Sequence, residues 1–194
     1  MPRTAALVLV GTAGLVIGGI AMTQGSSDLG LGDVFAAARA WIWGDLAYRQ
    51  TEEYTIITRL RLPRVLLAAL VGGGLAIGGA ALQGLLRNLL VSPYTLGISP
   101  AAAFGASLAI LVFSDAAPGA VSVYTVAGAL AASGAVALGV LFLSSSRRTS
   151  IATIVLFGVA LSAIFGAMTA LVQFVADEQT NARIVRWSFG TFNN

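Results

Sequence analysis

Three arginines, Arg59, Arg61 and Arg64, lie within six residues of one another and form a cluster of basic side chains. A guanidinium group binds a carboxylate through paired hydrogen bonds, and clustered positive charge steers an acidic partner and fixes its orientation. The alternative is that these arginines anchor a helix end at lipid headgroups. The cluster therefore indicates either docking of an acidic surface or anchoring at a membrane surface.

The side chains on which most enzymes depend are absent from the sequence. There is no Cys and no His, which removes thiolate nucleophiles, the commonest metal ligand and the commonest proton shuttle. All 11 basic residues are arginine, so a Walker A phosphate loop with its lysine is absent as well. We therefore expect no catalytic site, no metal site and no cofactor in this chain, and any work driven by ATP requires a separate polypeptide.

The composition is that of a membrane protein. Hydrophobic residues make up 57% of the chain and charged residues 10%, against about 25% charged residues in soluble proteins. The net charge of +3 is explained by loop arginines and gives little support for nucleic-acid binding. No carboxylate lies in the long apolar stretches, which argues against an ion-coupled secondary transporter and against an intramembrane enzyme.

These stretches predict an all-α fold, a polytopic bundle of membrane helices that forms one domain over residues 1–194. Crossing the hydrocarbon core takes about 20 helical residues. The first stretch is longer than the apolar region of a signal peptide, so we expect an uncleaved helix. Small residues at four-residue intervals, such as Gly158, Ser162 and Gly166, favour close helix packing. The five predicted spans cover about residues 5–24, 65–86, 100–114, 122–143 and 151–176.

Residues 25–64 form the one substantial polar segment. Its middle, Asp33 to Trp43, has the spacing of a short helix, and the segment contains Trp41, Tyr48 and Tyr54, residue types that favour the headgroup level. We expect a helix that lies against the outer membrane surface; a disordered loop is the alternative. The distribution of arginines among the loops leaves the orientation of the chain undecided.

Several motifs stand in a specific order. They are R-L-P-R at 61–64, a glycine-rich stretch at 72–83 that ends in Gln83, R-N-L-L at 87–90, P-Y-T-L-G-I-S at 93–99 and W-S-F-G at 187–190. In this order they resemble the FecCD/BtuC-like permeases of ATP-binding-cassette (ABC) importers for ferric siderophores, haem and cobalamin. Leu89 and Pro100-Ala101 depart from the usual family residues. The resemblance implies ten membrane helices, of which five are present here.

The resemblance implies a role for each motif. Arg61 and Arg64 are expected to dock a substrate-binding protein, with Arg59 as a weaker candidate, and Ser150 and Ile151 are expected to narrow the pathway on the cytoplasmic side. A plain helix N-cap by Thr149 or Ser150 is the alternative at the second site. Structural roles follow from the residue types themselves. Gln83, an amide in an apolar span, is expected to form a hydrogen bond between helices, with substrate contact as the alternative. Arg87 and Asn88 are expected to cap the helix and fix the following turn, which contains Pro93 and Gly97.

The implied activity is that of a permease subunit of the bacterial inner membrane. It would work with ABC ATPase subunits, a periplasmic or lipid-anchored substrate-binding protein, a second permease copy and membrane lipid. Ferric siderophores are the expected cargo because that use is widespread in the family. We expect the sequence to be part of a longer permease; the alternative is a truncated product that does not transport.

Overall fold

The computed structural model of the chain describes residues 3–25, 27–145 and 150–190, and it confirms the all-α fold class. No strand occurs within these ranges. The helices are α1 (Arg3–Thr23), α2 (Leu31–Trp43), α3 (Leu46–Arg49), α4 (Glu52–Thr55), a π-helix (Ile56–Arg61), α5 (Leu62–Leu86), α6 (Ile98–Val112), α7 (Pro118–Ser145), α8 (Ile151–Val175) and α9 (Glu178–Phe189).

Four helical segments in the described ranges are long and apolar enough to cross a membrane: Thr4–Thr23, Glu52–Leu86, Gly119–Ser145 and Ile151–Val175. The remaining predicted span, 100–114, corresponds to α6, whose 15 residues extend only about 22 Å at 1.5 Å per residue. This is shorter than a hydrocarbon core of about 30 Å. α6 is short because the residues that precede it, 88–97, form turns instead of helix.

The chain divides into two compact units at Gly74 and Leu75, a point inside α5, where the sequence predicts a single domain. In the first unit, α2 packs on the ends of neighbouring helices through a small core of Leu29, Ala37 and Ile57. The phenol of Tyr48 borders this core and donates to the backbone oxygen of Asp33 at 3.3 Å. Burial, followed by the negative charges of Asp33 and Glu53, raises the pKa of Tyr48, so the phenol keeps its donating proton.

The polar segment 25–64 is largely helical, and helix continues from Glu52 through Leu86. The sequence predicts a helix that begins only after Pro63. Proline in a helix interior cannot donate to the residue four positions back, here Arg59, and its ring crowds that carbonyl group. The π-helix immediately before Pro63 widens the backbone at this place, with the amide of Leu62 bonded to the oxygen of Ile57 five residues back.

In the second unit α6 is the central helix and packs on α7, α8 and α9. It crosses α7 where Gly105 and Gly128 meet: a Cβ atom on Gly105 would clash with the carbonyl oxygen of Gly128 and with Ala132. Two apolar clusters lie toward opposite ends of α6. One contains Leu86, Leu96, Val140 and Ile154, and the other contains Ile110, Val172 and Ile184.

Candidate functional site

Arg61 is buried in the first unit, with 6% of its surface exposed. Its guanidinium group donates from Nη1 to the backbone oxygen of Met22 and from Nη2 to both the backbone oxygen and the hydroxyl of Ser27, each at 2.7 Å. Gly25 leaves room for this group, because a Cβ atom there would lie 2.9 Å from Nη2. Arg61 therefore fastens the segment after α1 to the π-helix and does not point toward an external partner.

Arg59 and Arg64 differ from Arg61 because both are exposed. They flank the buried arginine in the sequence, one in the π-helix and one in the first turn of α5. Their guanidinium groups remain accessible to an acidic surface. The structure thus separates the arginine cluster into one buried structural residue and two exposed cations.

Gln83 was expected to bond to another helix, but in the second unit it bonds to the loop that follows its own helix. Its Nε2 donates to the backbone oxygens of Leu89 and Val91 at 3.2 and 3.4 Å. Arg87 ends α5 with a left-handed backbone (φ 47°). Asn88 helps to close the helix end, since its amide donates to the oxygen of Gln83, while its Oδ1 accepts from Leu90. Arg87 and Asn88 therefore terminate α5. These hydrogen bonds join Asn88 to Gln83 and Leu90, and neither reaches the turn at 92–97.

The turn at 92–97 is held by residues that the sequence analysis did not assign. Ser92 and Thr95 exchange backbone-to-hydroxyl hydrogen bonds of 2.8 and 3.2 Å. From α8, the hydroxyl of Ser162 donates to the backbone oxygen of Tyr94 at 3.0 Å. Irregular backbone in a membrane protein is tolerated where protein covers it, and Leu96 and Gly97 of this turn are buried. The signal that could have revealed it is the run of small hydroxyl residues beside Pro93.

Pro93 and Gly97 shape this turn through their backbones. The oxygen of Pro93 accepts from the amides of Ile98 and Ser99 at 3.0 and 3.3 Å. Gly97 has a φ of 79°, a left-handed conformation that favours glycine. A Cβ atom at Gly97 would also lie 2.8 Å from the Cβ of Leu161, so α8 approaches the turn too closely for a side chain.

Ser150 is the N-cap of α8. Its Oγ accepts from the backbone amide of Thr153 at 3.1 Å and lies 2.8 Å from the hydroxyl of that residue. Ile151, the first residue of the helix, is 43% exposed. The expected cytoplasmic gate at Ser150 and Ile151 stays a prediction beside this capping role. Thr149, the alternative cap, lies outside the described residues.

A cavity of about 550 Å³ lies among the 94–103 segment, α8 and α9 within the second unit; it is not among the features predicted from the sequence. Its polar groups come from five hydroxyl residues, an amide and an indole: Tyr94, Ser99, Ser162, Thr169, Ser188, Gln173 and Trp187. Small residues such as Gly166 complete the wall. On α8 the polar and small positions recur at 162, 166, 169 and 173, the spacing of one helix face. That periodicity within an apolar span is the signal that could have found it.

The cavity wall is electroneutral and able to form hydrogen bonds. No Asp, Glu or Arg is among the residues that line it. The amide of Gln173 and the indole of Trp187 are among the groups that line the cavity. A Cβ atom at Gly166 would meet no neighbouring atom within 4 Å, which keeps the cavity wide at that point. The arrangement suits a polar ligand that is held loosely through oxygen and nitrogen atoms.

Asp177 caps α9, which borders this cavity. Its Oδ1 accepts from the amides of Gln179 and Thr180 at 2.9 and 3.0 Å. Hydrogen bonding from Thr180, by side chain and then by backbone, lowers the pKa of this exposed carboxyl group. The helix is held to the preceding part of the unit by Arg183, which donates to the backbone oxygen of Ser114 at 3.2 Å.

Among the described residues, no group of three or more Asp or Glu side chains could hold a metal ion. The site is therefore made of helix surfaces, hydroxyl groups and amides. Residues 7–194, which include the arginine cluster, the 92–97 turn and the cavity, match the model of the FecCD transport family. The chain belongs to the FecCD transport family. This membership confirms the resemblance that the motifs indicated.

The relatives of this FecCD-family chain are named for the transport of different cargoes. It is 38% identical over 138 residues to the molybdate import system permease protein MolB of Haemophilus influenzae, covering 71% of this chain and 40% of MolB. It is 37% identical over 133 residues to the hemin transport system permease protein HmuU of Yersinia pestis, covering 68% and 40%. Over 181 residues it is 34% identical to the Fe(3+)-citrate import system permease protein YfmE of Bacillus subtilis, covering 91% and 51%.

A solved metal-chelate type ABC transporter in an inward-facing conformation has a similar fold, with a TM-score of 0.62 and 29% sequence identity; the match covers 93% of this chain and 50% of that one. The FecCD-family chain thus spans about half or less of the length of the relatives it matches. Family membership and the long apolar helices together make it a multi-pass membrane protein.

Proposed function

We propose that this chain is part of the membrane-spanning permease of a binding-protein-dependent ABC importer. The observation that carries the proposal is the family match over residues 7–194, which spans nearly every described element. In this role the chain would work beside a second permease copy in the inner membrane, and separate ATPase subunits would supply the energy for alternating access. A binding protein would deliver the substrate.

The cavity between the 94–103 segment, α8 and α9 is proposed as this chain's share of the translocation pathway. Support comes from its neutral wall, in which hydroxyl groups alternate with small residues such as Gly166. Weak hydrogen bonds to Ser162, Thr169 and Gln173 would keep a polar cargo solvated, and the absence of a lining charge would prevent it from being trapped. A pathway must release its cargo as readily as it admits it.

Arg59 and Arg64 are proposed as the docking residues, and Arg61 as a structural residue that supports them. The exposure of Arg59 and Arg64 leaves both guanidinium groups accessible to carboxylates. Arg61 is committed to Met22 and Ser27 instead. This assignment changes the sequence-based expectation that Arg61 and Arg64 dock as a pair.

A ferric siderophore is the proposed cargo. The supporting features are the size of the cavity, about 550 Å³, and its neutral lining, which fit a bulky organic chelate that presents oxygen atoms. The names of MolB and HmuU show that the relatives differ in cargo, so the choice must be made by experiment. Ser150 and Ile151 are proposed to narrow the cytoplasmic end of the pathway, with Ser150 also capping α8.

The proposal is tested by reconstituting the complete transporter in vesicles and measuring uptake of labelled ferric siderophore, ferric citrate, haem and molybdate. We expect accumulation of a ferric siderophore only when ATP and the cognate binding protein are both present. Uptake of molybdate instead would overturn the cargo assignment while leaving the permease role intact. Uptake that needs neither ATP nor binding protein would overturn the permease role itself.

A further inference from the structure

The helix α2 (Leu31–Trp43) packs through one face and leaves the opposite face uncovered within the described chain. Ala37 and Ala40 are each 1% exposed and lie on the packed side. Leu31, Phe35 and Ile42 are 54, 73 and 63% exposed. At about 100° per residue these three lie within about 40° of one another, roughly opposite Ala40. A helix outside the long apolar segments thus carries a continuous apolar face.

Two tryptophans flank this face, Trp41 on one side and Trp43 on the other, each about 100° from its centre. Trp41 and Trp43 are 70 and 76% exposed, and Leu46, just after the helix, is 70% exposed. Tryptophan is the residue type most typical of the boundary between headgroups and acyl chains, because its ring is largely apolar and its N–H can still bond to polar groups. An exposed apolar surface of this kind needs a covering partner.

The ends of α2 are satisfied inside the unit, so the helix needs no partner to form. At its start, Asp33 Oδ2 accepts from the amide of Gly30 at 2.8 Å. At its end, the guanidinium group of Arg49 donates to the backbone oxygens of Ala40 and Trp41 at 3.0 and 2.9 Å. The uncovered face is therefore presented by a preformed helix, which keeps the entropic cost of covering it low.

The position of α2 in the chain determines what can cover the face. Thr23 ends α1, and the apolar segment that begins at Glu52 contains α5; both segments are long and apolar enough to cross a bilayer. Between them, the packed side of α2 contacts Met22, at the end of α1, and Ile57 in the π-helix. These contacts hold α2 beside the end of α1 and the first part of the long helical segment that contains α5.

From this position and composition we propose that the α2 face made of Leu31, Phe35 and Ile42, with Trp41 and Trp43 at its two edges, lies in the headgroup–acyl boundary of the lipid bilayer. Arg39, whose side chain is 70% exposed, lies between Phe35 and Trp43 around the helix, and among the described residues its ion pair is a 4.0 Å contact with Asp45. Such an exposed pair contributes little stability, so the guanidinium group is available to lipid phosphates. A water-soluble binding protein would be expected to meet the exposed arginines through acidic groups, whereas this face offers apolar rings.

The chain has no cysteine, so single labels can be placed without altering it elsewhere. The test uses Phe35→Cys and Ile42→Cys on the face and Gln50→Cys as the matched exposed control. Each variant carries a nitroxide in the complete transporter, whose other subunits are made cysteine-free, in mixed phosphatidylcholine–phosphatidylglycerol vesicles. Electron paramagnetic resonance power saturation then compares the accessibility of each label to oxygen, which enters lipid, with that to a water-soluble nickel chelate.

We expect the ratio of oxygen to nickel accessibility to be several-fold higher at positions 35 and 42 than at position 50. High nickel accessibility at positions 35 and 42 would place the face in water and overturn the proposal. Low accessibility to both reagents would show that protein covers the face, which also overturns it. Leu31→Cys provides a third independent position if either substitution prevents assembly. None of these outcomes depends on the cargo or on transport.

Discussion

Nη2 of Arg61 donates to both the backbone oxygen and the hydroxyl of Ser27, 34 residues earlier in the chain, each at 2.7 Å. With the bond from Nη1 to Met22, this places a cation of the R-L-P-R motif in a structural role. A buried guanidinium group is stable only when such bonds compensate for its loss of hydration. The motif therefore contains two kinds of arginine, and their substitution should have different effects.

Replacing Arg61 should destabilise the protein. Hydrogen bonds to a charged group contribute about 1.5–3 kcal/mol each, and their effects are not additive, so we expect Arg61→Ala to lower the free energy of unfolding by about 2–4 kcal/mol. Arg61→Lys should recover only part of this loss, because an ammonium group cannot reproduce the planar fork. Arg64→Ala is the control and should change stability by less than about 0.5 kcal/mol. Thermal unfolding in detergent measures all three, and equal midpoints would contradict the structural role.

Docking of the binding protein should depend on the two exposed arginines, Arg59 and Arg64. Arg59→Glu with Arg64→Glu should sharply weaken capture of the loaded binding protein in pull-down experiments, since both charges change sign, while leaving the thermal midpoint close to that of the parent. Capture by the parent should weaken as salt is added, because exposed charges are screened. The matched control is Arg39→Glu, another exposed arginine of the same unit. Undiminished capture by the double variant would remove the docking assignment.

The close approach of α8 to the 92–97 turn predicts that Gly158→Ala is destabilising. A Cβ atom at Gly158 would lie 2.5 Å from the oxygen of Thr95 and 2.6 Å from the Cα of Leu96, which are backbone atoms that cannot rotate away. Overpacking of this kind costs about 1–3 kcal/mol. Gly134→Ala is the comparison, because no neighbouring atom lies within 4 Å there. If the two variants unfold at the same temperature, the packing of the turn on α8 is not as described.

Narrowing the cavity should block transport without unfolding the protein. Gly166 borders the cavity with open space around it, so Gly166→Leu would place a bulky side chain in the opening. We expect uptake by the reconstituted transporter to fall strongly, with assembly and basal ATP hydrolysis by the ATPase subunits retained. Gly134→Leu is the control at a glycine outside the cavity lining. Normal uptake by Gly166→Leu would exclude this cavity from the pathway.

The cap of α9 predicts a pH dependence. The pKa of Asp177 is lowered in the folded chain by its hydrogen bonds to Thr180. The contribution of this carboxylate to folding stability is therefore present at pH values above the usual carboxyl pKa and is lost as the pH falls through the lowered pKa. Between about pH 7 and about pH 3, the thermal midpoint should fall less for Asp177→Asn than for the parent, because asparagine retains the cap but does not titrate. Parallel curves for the two proteins would contradict this linkage.

The existence of the long helices follows from composition because an apolar run of sufficient length can satisfy its backbone in lipid only as helix. The predicted ranges 5–24 and 151–176 correspond to Arg3–Thr23 and Ile151–Val175. The polar segment before α5 was harder to interpret. Pro63 is typical of a helix start, yet a π-helix accommodates it inside a longer helix. Ile57, in this π-helix, packs with Leu29 and Ala37 from earlier in the chain, contacts that local sequence does not report.

Residue types and their order determined the class of the protein: arginine as the sole basic residue, no Cys or His, long apolar runs and the motifs from R-L-P-R to W-S-F-G. Tertiary structure alone decided which arginine of the cluster is buried, where Gln83 bonds, and that α8, α9 and the 94–103 segment line a neutral cavity. The physical reason is the separation along the chain of the residues that interact. Composition and periodicity are properties of neighbouring residues, whereas the partners of Arg61 lie 34 and 39 residues away and are brought together only by folding.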